Sequence, residues 1–319
     1  MKKRVLSMLM ALALCLTLLP ASARAEETAG NVAEVTAGSK TTQYTNIVAA
    51  FTAAQAAESA TVKLLENVTI PTDAEGYSYG IDLTSGNITL DLNGHTIQTT
   101  DGASSFVMRN AVFYIGGSGL TVQDSTGGGK IVQPNGGQAI GVSSGNLTVK
   151  SGTIEVMSTV TKQDGPTTQN CAVFVRGNGV ADIQGGTLIG NRGIYVGGKL
   201  GGGTLTVSGG TIHGKSSYAL EIAGGSVRLS GGSYTTDVTD GCSIWNAADT
   251  AGNLLVNGYR YQDESGKESA YSSDENGVVG NTTVAVRPAN EFSYVDANGK
   301  EQTQAGCTEL TAAGFEGAL

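Results

Sequence analysis

The sequence predicts an all-β fold: a parallel β-helix, or solenoid, of about seven or eight coils covered at its N-terminal end by a short helix. Two observations carry the prediction. An apolar-turn-apolar phrase recurs at a nearly fixed interval, as NGHTI (93–97), GGKIV (128–132), SGTIE (151–155), GGTLI (185–189), GGTIH (209–213) and GGSYT (231–235). The first residue after each turn is Thr96, Lys130, Thr153, Thr187, Thr211 or Ser233, at spacings of 34, 23, 34, 24 and 22. A period of this length marks an array of stacked units. The second observation is glycine, 47 of 319 residues, about twice the usual ~7%. It has no G-X-Y period and arrives in pairs beside Val, Ile, Leu and Thr, which points to strands and tight corners.

Before each turn stands a short alternating strand: LDL (90–92), LTV (120–122), LTV (147–149), ADI (181–183), LTV (205–207) and VRL (227–229). A third phrase recurs between turns: AIGV (139–142), AVFV (172–175), GIYV (193–196), ALEI (219–222) and SIWN (243–246). Three strands per coil give a triangular cross-section. Alternation sends one side chain in and the next out, so Leu205, Val207 and Ile212 should stack in columns with Leu147, Val149 and Ile154. One coil alone cannot bury them, whereas stacked coils can. The stretch ITLDLNGHTI (88–97) contains Asn93-Gly94, a strong hairpin signal, but the columns align only if successive coils run parallel. The period therefore overrules the turn. Between Leu83 and Tyr261 the coils span about 35 to 40 Å at ~4.8 Å per strand.

The open N-terminal end of such a stack is a hazard. A helix over 45–57, with Ile47, Val48, Phe51 and Ala54 on one face and the strand TVKLL (61–65) after it, is expected to cover it. Ahead of it, MKKRVLSMLMALALCLTLLPASARAEE has a basic start, a short apolar run and an Ala23-Arg24-Ala25 cleavage site, so residues 1–25 read as a secretory signal peptide. Cys15 lies inside the apolar run after Leu14 and is not placed for a lipid anchor. Residues 26–43 are expected to be a flexible mature N-terminus, 44–262 the β-helix and its helical cap, and 263–319 a C-terminal strand and connector. No later stretch has the length of a membrane span. Cleavage leaves 15 basic against 28 acidic residues, a net charge of −13, which makes nucleic acid a poor partner. A monomer is expected. Cys171, Cys242 and Cys307 remain, an odd number that does not suit a disulfide scaffold.

The phrases TVKLLENVTI and ITLDLNGHTI, followed by repeats such as LTVSGGTI, resemble the right-handed parallel β-helix domains of large exported bacterial surface proteins, adhesin-like in kind. The resemblance covers about residues 44–262. It implies a pectate-lyase-like fold and a secreted, extracellular or cell-surface location, usually without a demonstrated enzymatic activity. The segment FSYVDANGKEQTQAGCTEL (292–310) is similar to the connector that precedes a further β-helix domain in such proteins. With Leu319 following and no LPxTG-type signal or surface-layer repeats, a truncated or fragmentary member is expected.

The fold alone does not grant an activity. A glycoside hydrolase needs two carboxylates about 5 to 9 Å apart in one groove, and a polysaccharide lyase usually needs a calcium cage with a basic proton abstractor. The outward Asp91, Asp182 and Glu221 fall on different faces or several coils apart, and no NTD, DD or RIK phrase occurs. His95 stands at a corner, aligned with Gly210, and His213 is about five coils away; neither has an evident partner for catalysis or zinc. GGSGLTVQD (116–124) begins like a calcium-binding nonapeptide but has Thr121 where the ligand Asp should be. No catalytic residue, metal or cofactor is expected.

The third phrase holds the candidate site. With Val173 and Val175 inward, Phe174 points out, and the same register gives the column Gly141, Phe174, Tyr195, Glu221, Trp245. Three aromatics on one outer face can stack sugar rings while a carboxylate accepts hydroxyl hydrogen bonds. The competing expectation is cross-strand packing, under the loop MSTVTKQDGPTTQ (157–169). The sequence thus favours a non-catalytic secreted or cell-surface module for adhesion or contact with polysaccharide or a host or cell-surface glycan. A polysaccharide lyase or glycoside hydrolase is the alternative, and an inert spacer of a larger surface protein the third reading.

Overall fold

The computed structural model describes residues 30–305, apart from 72–79, 101–110, 135, 158–169, 199–200, 240, 247–253, 269–277, 280–281, 290 and 296–300. The signal segment, Cys307 and most of the 157–169 loop lie outside the described residues. β1 (Ala33–Ala37) and β2 (Lys40–Tyr44) form a hairpin, followed by α1 (Ile47–Gln55). Three-strand turns then succeed one another. The first is β3 (Ser59–Leu64), β4 (Val68–Ile70) and β5 (Ile81–Leu83), and the second β6 (Asn87–Asp91), β7 (Thr96–Thr99) and β8 (Ala111–Ile115). The third and fourth are β9 (Gly119–Gln123), β10 (Lys130–Gln133), β11 (Gln138–Val142) and β12 (Asn146–Val149), β13 (Thr153–Val156), β14 (Cys171–Val175). The fifth is β15 (Val180–Ile183), β16 (Thr187–Gly190) and β17 (Arg192–Val196), and the sixth β18 (Thr204–Val207), β19 (Thr211–Gly214) and β20 (Leu220–Ile222). The seventh is β21 (Ser226–Leu229), β22 (Ser233–Thr236) and β23 (Ile244–Asn246). Afterwards come β24 (Tyr259–Gln262), β25 (Val278–Val279), β26 (Thr283–Pro288) and a separate antiparallel pair, β27 (Glu291–Val295) with β28 (Glu301–Ala305).

First, second and third strands of successive turns pair in parallel, giving two nine-stranded sheets and one of eight. This all-β arrangement of long, mostly parallel sheets is consistent with a parallel β-helix. Nine strands at ~4.8 Å span about 38 Å. The turn phrases align as their spacing requires: Thr96, Lys130, Thr153, Thr187, Thr211 and Ser233 are register partners in sequence. Inside, Leu147, Ala181, Leu205 and Val227 make one column, Val149, Ile183, Val207 and Leu229 a second, and Ile154, Leu188, Ile212 and Tyr234 a third. All are buried. Each strand thus hides its alternate residues only because the turns above and below supply the other walls.

One register differs. Ile88 and Leu90, not Leu90 and Leu92, partner Leu120 and Val122. The cause is a longer corner. Asn93 adopts φ 48° and Gly94 φ 79°, a left-handed pair that Asn and Gly tolerate, while Asp91 leaves the strand's outer face to bracket the corner. Its Oδ1 accepts from the amides of Asn93 and Ser125, both at 3.0 Å.

The ends are built differently from the expectation. The β1-β2 hairpin takes in residues 33–43 of the segment expected to be flexible, with Tyr44 after them, and β1 pairs antiparallel with β3. Ala33 and Val35 are buried against the stack, so apolar alternation too short to stand out in the sequence orders this segment. In α1, capped by Asn46 accepting from the Ala49 amide at 3.0 Å, the buried face is Ile47, Ala50, Phe51 and Ala54, and Val48 is exposed. The Phe51 ring meets Phe113 of β8 at 5.2 Å. At the other end β26 pairs antiparallel with β22 and β24 with β26, burying Tyr261, Val284 and Val286. The boundary expected at 262 therefore falls inside a packed unit, and after β23 the parallel stacking continues, among the described residues, as the single bridge of Leu255 to Leu229. Antiparallel strands thus cover the first sheet at one end and the second and third sheets at the other, and a covered edge is no template for a further chain.

Candidate functional site

The outer column of the third sheet takes one residue from each turn: Asp82, Tyr114, Gly141, Phe174, Tyr195, Glu221 and Trp245, each in register with the next. The last five form the column that the repeat predicts. Asp82 and Tyr114 extend it by two turns, and the signal that finds them is the alternation of Phe113 and Ile115 about Tyr114.

Exposure divides the column. Phe174 is only 1% exposed, which corrects its assignment as an open ring. It stands on the outer side of β14 but is covered. The Tyr195 ring stacks on it at 5.2 Å with planes 23° apart, the Arg176 guanidinium lies 5.3 Å from its centroid, and Gly198 backs onto its edge, where a Cβ would sit 3.3 Å from Cζ. Glu221 is 5% exposed and ion-paired, its Oε2 accepting from Nε of Arg192. Burial pushes its carboxyl above the usual range, and the Arg192 charge and hydrogen bond pull the other way. Arg192 also lies over the Tyr195 ring at 5.6 Å, and Trp245 stacks on Tyr218 at 5.1 Å with planes 21° apart. Arg176 reaches the other way, 5.6 Å from the Tyr114 ring and donating from Nη2 to its hydroxyl at 3.3 Å.

The result is a ladder of stacked rings and guanidiniums. Ring pairs contribute about 0.5 to 1.5 kcal/mol each beyond area burial, and cation-π contacts a similar amount. Phe174 and Tyr195 spend a ring face on one another, as do Tyr218 and Trp245, and Tyr114, Tyr195, Tyr218 and Trp245 are half-buried. The sequence places the residues in one column; it does not show that their faces are taken.

The other chemistry-bearing groups serve the scaffold. Asp124 accepts from the amides of Gly94 at 2.8 Å and Gly129 at 2.7 Å, joining two corners. Asp182 accepts from Thr206 Oγ1 and Gln184 Nε2, each at 2.7 Å. His95 sits half-buried at its corner. His213 has Nε2 3.0 Å from Oδ2 of Asp237 on the second sheet's outer face, where Lys215 also pairs with Glu155 at 2.9 Å. Asp82 and Glu221 share the third-sheet column but stand five strand spacings apart, about 24 Å at the usual spacing. Cys171 and Cys242 are buried and in no disulfide. Among the described residues no helix is long and apolar enough to cross a membrane. No protein-family model, curated protein or solved structure matches the chain.

Proposed function

We propose that the chain is a secreted or cell-surface module, a right-handed pectate-lyase-like β-helix of non-catalytic type, that mediates adhesion or contact with glycans. The observation that supports this reading is the third-sheet ladder, whose half-buried Tyr114, Tyr195, Tyr218 and Trp245 lie along about 24 Å of sheet. Hydrogen-bonding tips on a rigid, regularly spaced frame suit a linear chain of hydroxyl-rich rings lying along the stack. Glu221 acts in this reading as the internal counter-ion that fixes Arg192 beside Tyr195, not as a sugar ligand. The ~24 Å between Asp82 and Glu221 speaks against a paired-carboxylate hydrolase, which needs ~5 to 9.5 Å.

The test is a polysaccharide panel against the purified mature chain, repeated with Tyr195→Ala and Trp245→Ala and with reducing-end and unsaturated-product assays on the same samples. Binding weakened about three- to tenfold by either change, the order of one aromatic contact, supports the platform. Binding indifferent to both rejects it, and product formation abolished by Glu221→Gln would establish an enzyme instead.

A further inference from the structure

At the N-terminal end of the stack the sheets are finished in different ways. In the first sheet β1 lies along β3. In the third, β5 is the outermost strand, and among the described residues no strand pairs with its far edge. Its near edge is taken by β8, where the Leu83 carbonyl accepts from the Gly116 amide at 2.8 Å. Along a strand of a parallel ladder the backbone groups of successive residues face opposite edges. Asp82 and Thr84 therefore aim theirs off the end of the stack.

A side chain meets them. Gln55, the last residue of α1, donates from Nε2 to the Asp82 carbonyl at 3.1 Å and accepts at Oε1 from the Thr84 amide at 2.9 Å. In a parallel ladder a residue donates to the carbonyl just before its partner and accepts from the amide just after it. The Gln55 carboxamide makes that pair of bonds on either side of Leu83, so it stands where one residue of a further strand would stand. Its backbone is held in place for this. The Gln55 carbonyl accepts from Ser85 Oγ at 3.1 Å, and Gly86, at φ 75°, passes so close that a Cβ would sit 2.8 Å from the Ala57 carbonyl. Asp82 and Thr84 are themselves exposed.

The edge that Gln55 covers is self-complementary. Two copies of β5 related by a two-fold axis at Leu83 run antiparallel, with Asp82 of each opposite Thr84 of the other. Each Asp82 carbonyl then accepts from the other copy's Thr84 amide, which replaces the bonds that Gln55 makes within one molecule. Asp82 does not face Asp82, so no like charges stand directly opposite. A contact of this isologous kind closes at two subunits. We propose that Gln55 is a surrogate strand residue that keeps the chain from pairing with a second copy through the β5 edge.

The experiment compares the mature chain with Gln55→Ala, Gln55→Glu and Val48→Ala, by sedimentation up to millimolar concentration and by amide hydrogen exchange read at Thr84. In dilute solution Gln55→Ala should speed Thr84 exchange by about two- to tenfold, the worth of one neutral hydrogen bond. At high concentration it should form a reversible dimer and slow that exchange again, while the unchanged chain forms none. Gln55→Glu still accepts from Thr84 but cannot donate to Asp82, so Thr84 should stay slow. Val48→Ala, on the exposed face of the same helix, should match the unchanged chain, which separates the Gln55 bonds from a general loosening of α1. Unaltered Thr84 exchange in Gln55→Ala, a monomer at every concentration, assembly beyond a dimer, or the same dimer in Val48→Ala overturns the proposal. Outright unfolding of Gln55→Ala overturns it as well, since two exposed hydrogen bonds are too weak to hold the fold.

Discussion

Replacing Leu205 by Asp should come close to unfolding the stack, whereas the same change at Thr121 should be tolerated. Leu205 is fully buried, between Ala181 below and Val227 above. Losing its burial costs about 1.5 to 3 kcal/mol, and an unpaired carboxylate in that column adds several more, so the total is at least about 5 kcal/mol. That is comparable with the whole stability of an ordinary domain, about 5 to 15 kcal/mol. Thr121 points outward between Thr89 and Thr148, with no charge in register beside it, and Thr121→Asp should cost less than about 1 kcal/mol. Alternation alone would class Thr206 with Thr121, but Thr206 donates to Asp182 at 2.7 Å and is its register partner. Thr206→Asp loses that bond and sets two carboxylates opposite each other, offset in part by Arg228 in register on the other side, about 1 kcal/mol in all. Urea midpoints followed by far-ultraviolet circular dichroism should therefore rank Thr121→Asp mildest, Thr206→Asp intermediate and Leu205→Asp worst. A Thr121→Asp midpoint as low as that of Leu205→Asp would refute the inward and outward assignment of the first sheet.

The buried Glu221 makes a signed contribution to pH dependence. Its folded pKa is raised, chiefly by burial, so the folded state holds the proton more tightly than the unfolded chain. The contribution is fully present below the ordinary carboxylate range and is lost as pH rises through the raised value. Glu221→Gln should carry a constant offset from the lost ion pair with Arg192 but lose this slope; urea midpoints compared between about pH 4 and about pH 8 that differ by the same amount throughout would rule it out. Burial also pushes the Cys171 thiol up to about 12, and Cys242 is buried as well. Iodoacetamide should label neither until urea unfolds the protein, and a peptide map of the unreduced chain should show no bridge between them, because three strand spacings put them about 14 Å apart where a disulfide needs less than about 7 Å. Labelling of Cys171 in the folded protein, or a mapped bridge, would contradict the stacking order.

Sequence alone determined the repeat, the three-sheet order and the membership of each column from Lys130 onward, because alternation and a short glycine corner are local properties repeated many times. It fixed that Phe174, Tyr195, Glu221 and Trp245 share one outer file. Only the tertiary structure decided which of them meet solvent. Alternation sets the direction of a side chain, but its exposure depends on atoms from other turns: Arg176 and Gly198 close over Phe174, Arg192 takes up Glu221, and Tyr218 claims a face of Trp245. The ends were equally out of reach. The β1-β2 hairpin and the β24-β26 pair lie outside the period, and their partners, β3 and β22, are chosen by which apolar edge the stack leaves uncovered. Arg260 and Arg287 are 27 residues apart in the chain and become neighbours only through that antiparallel register.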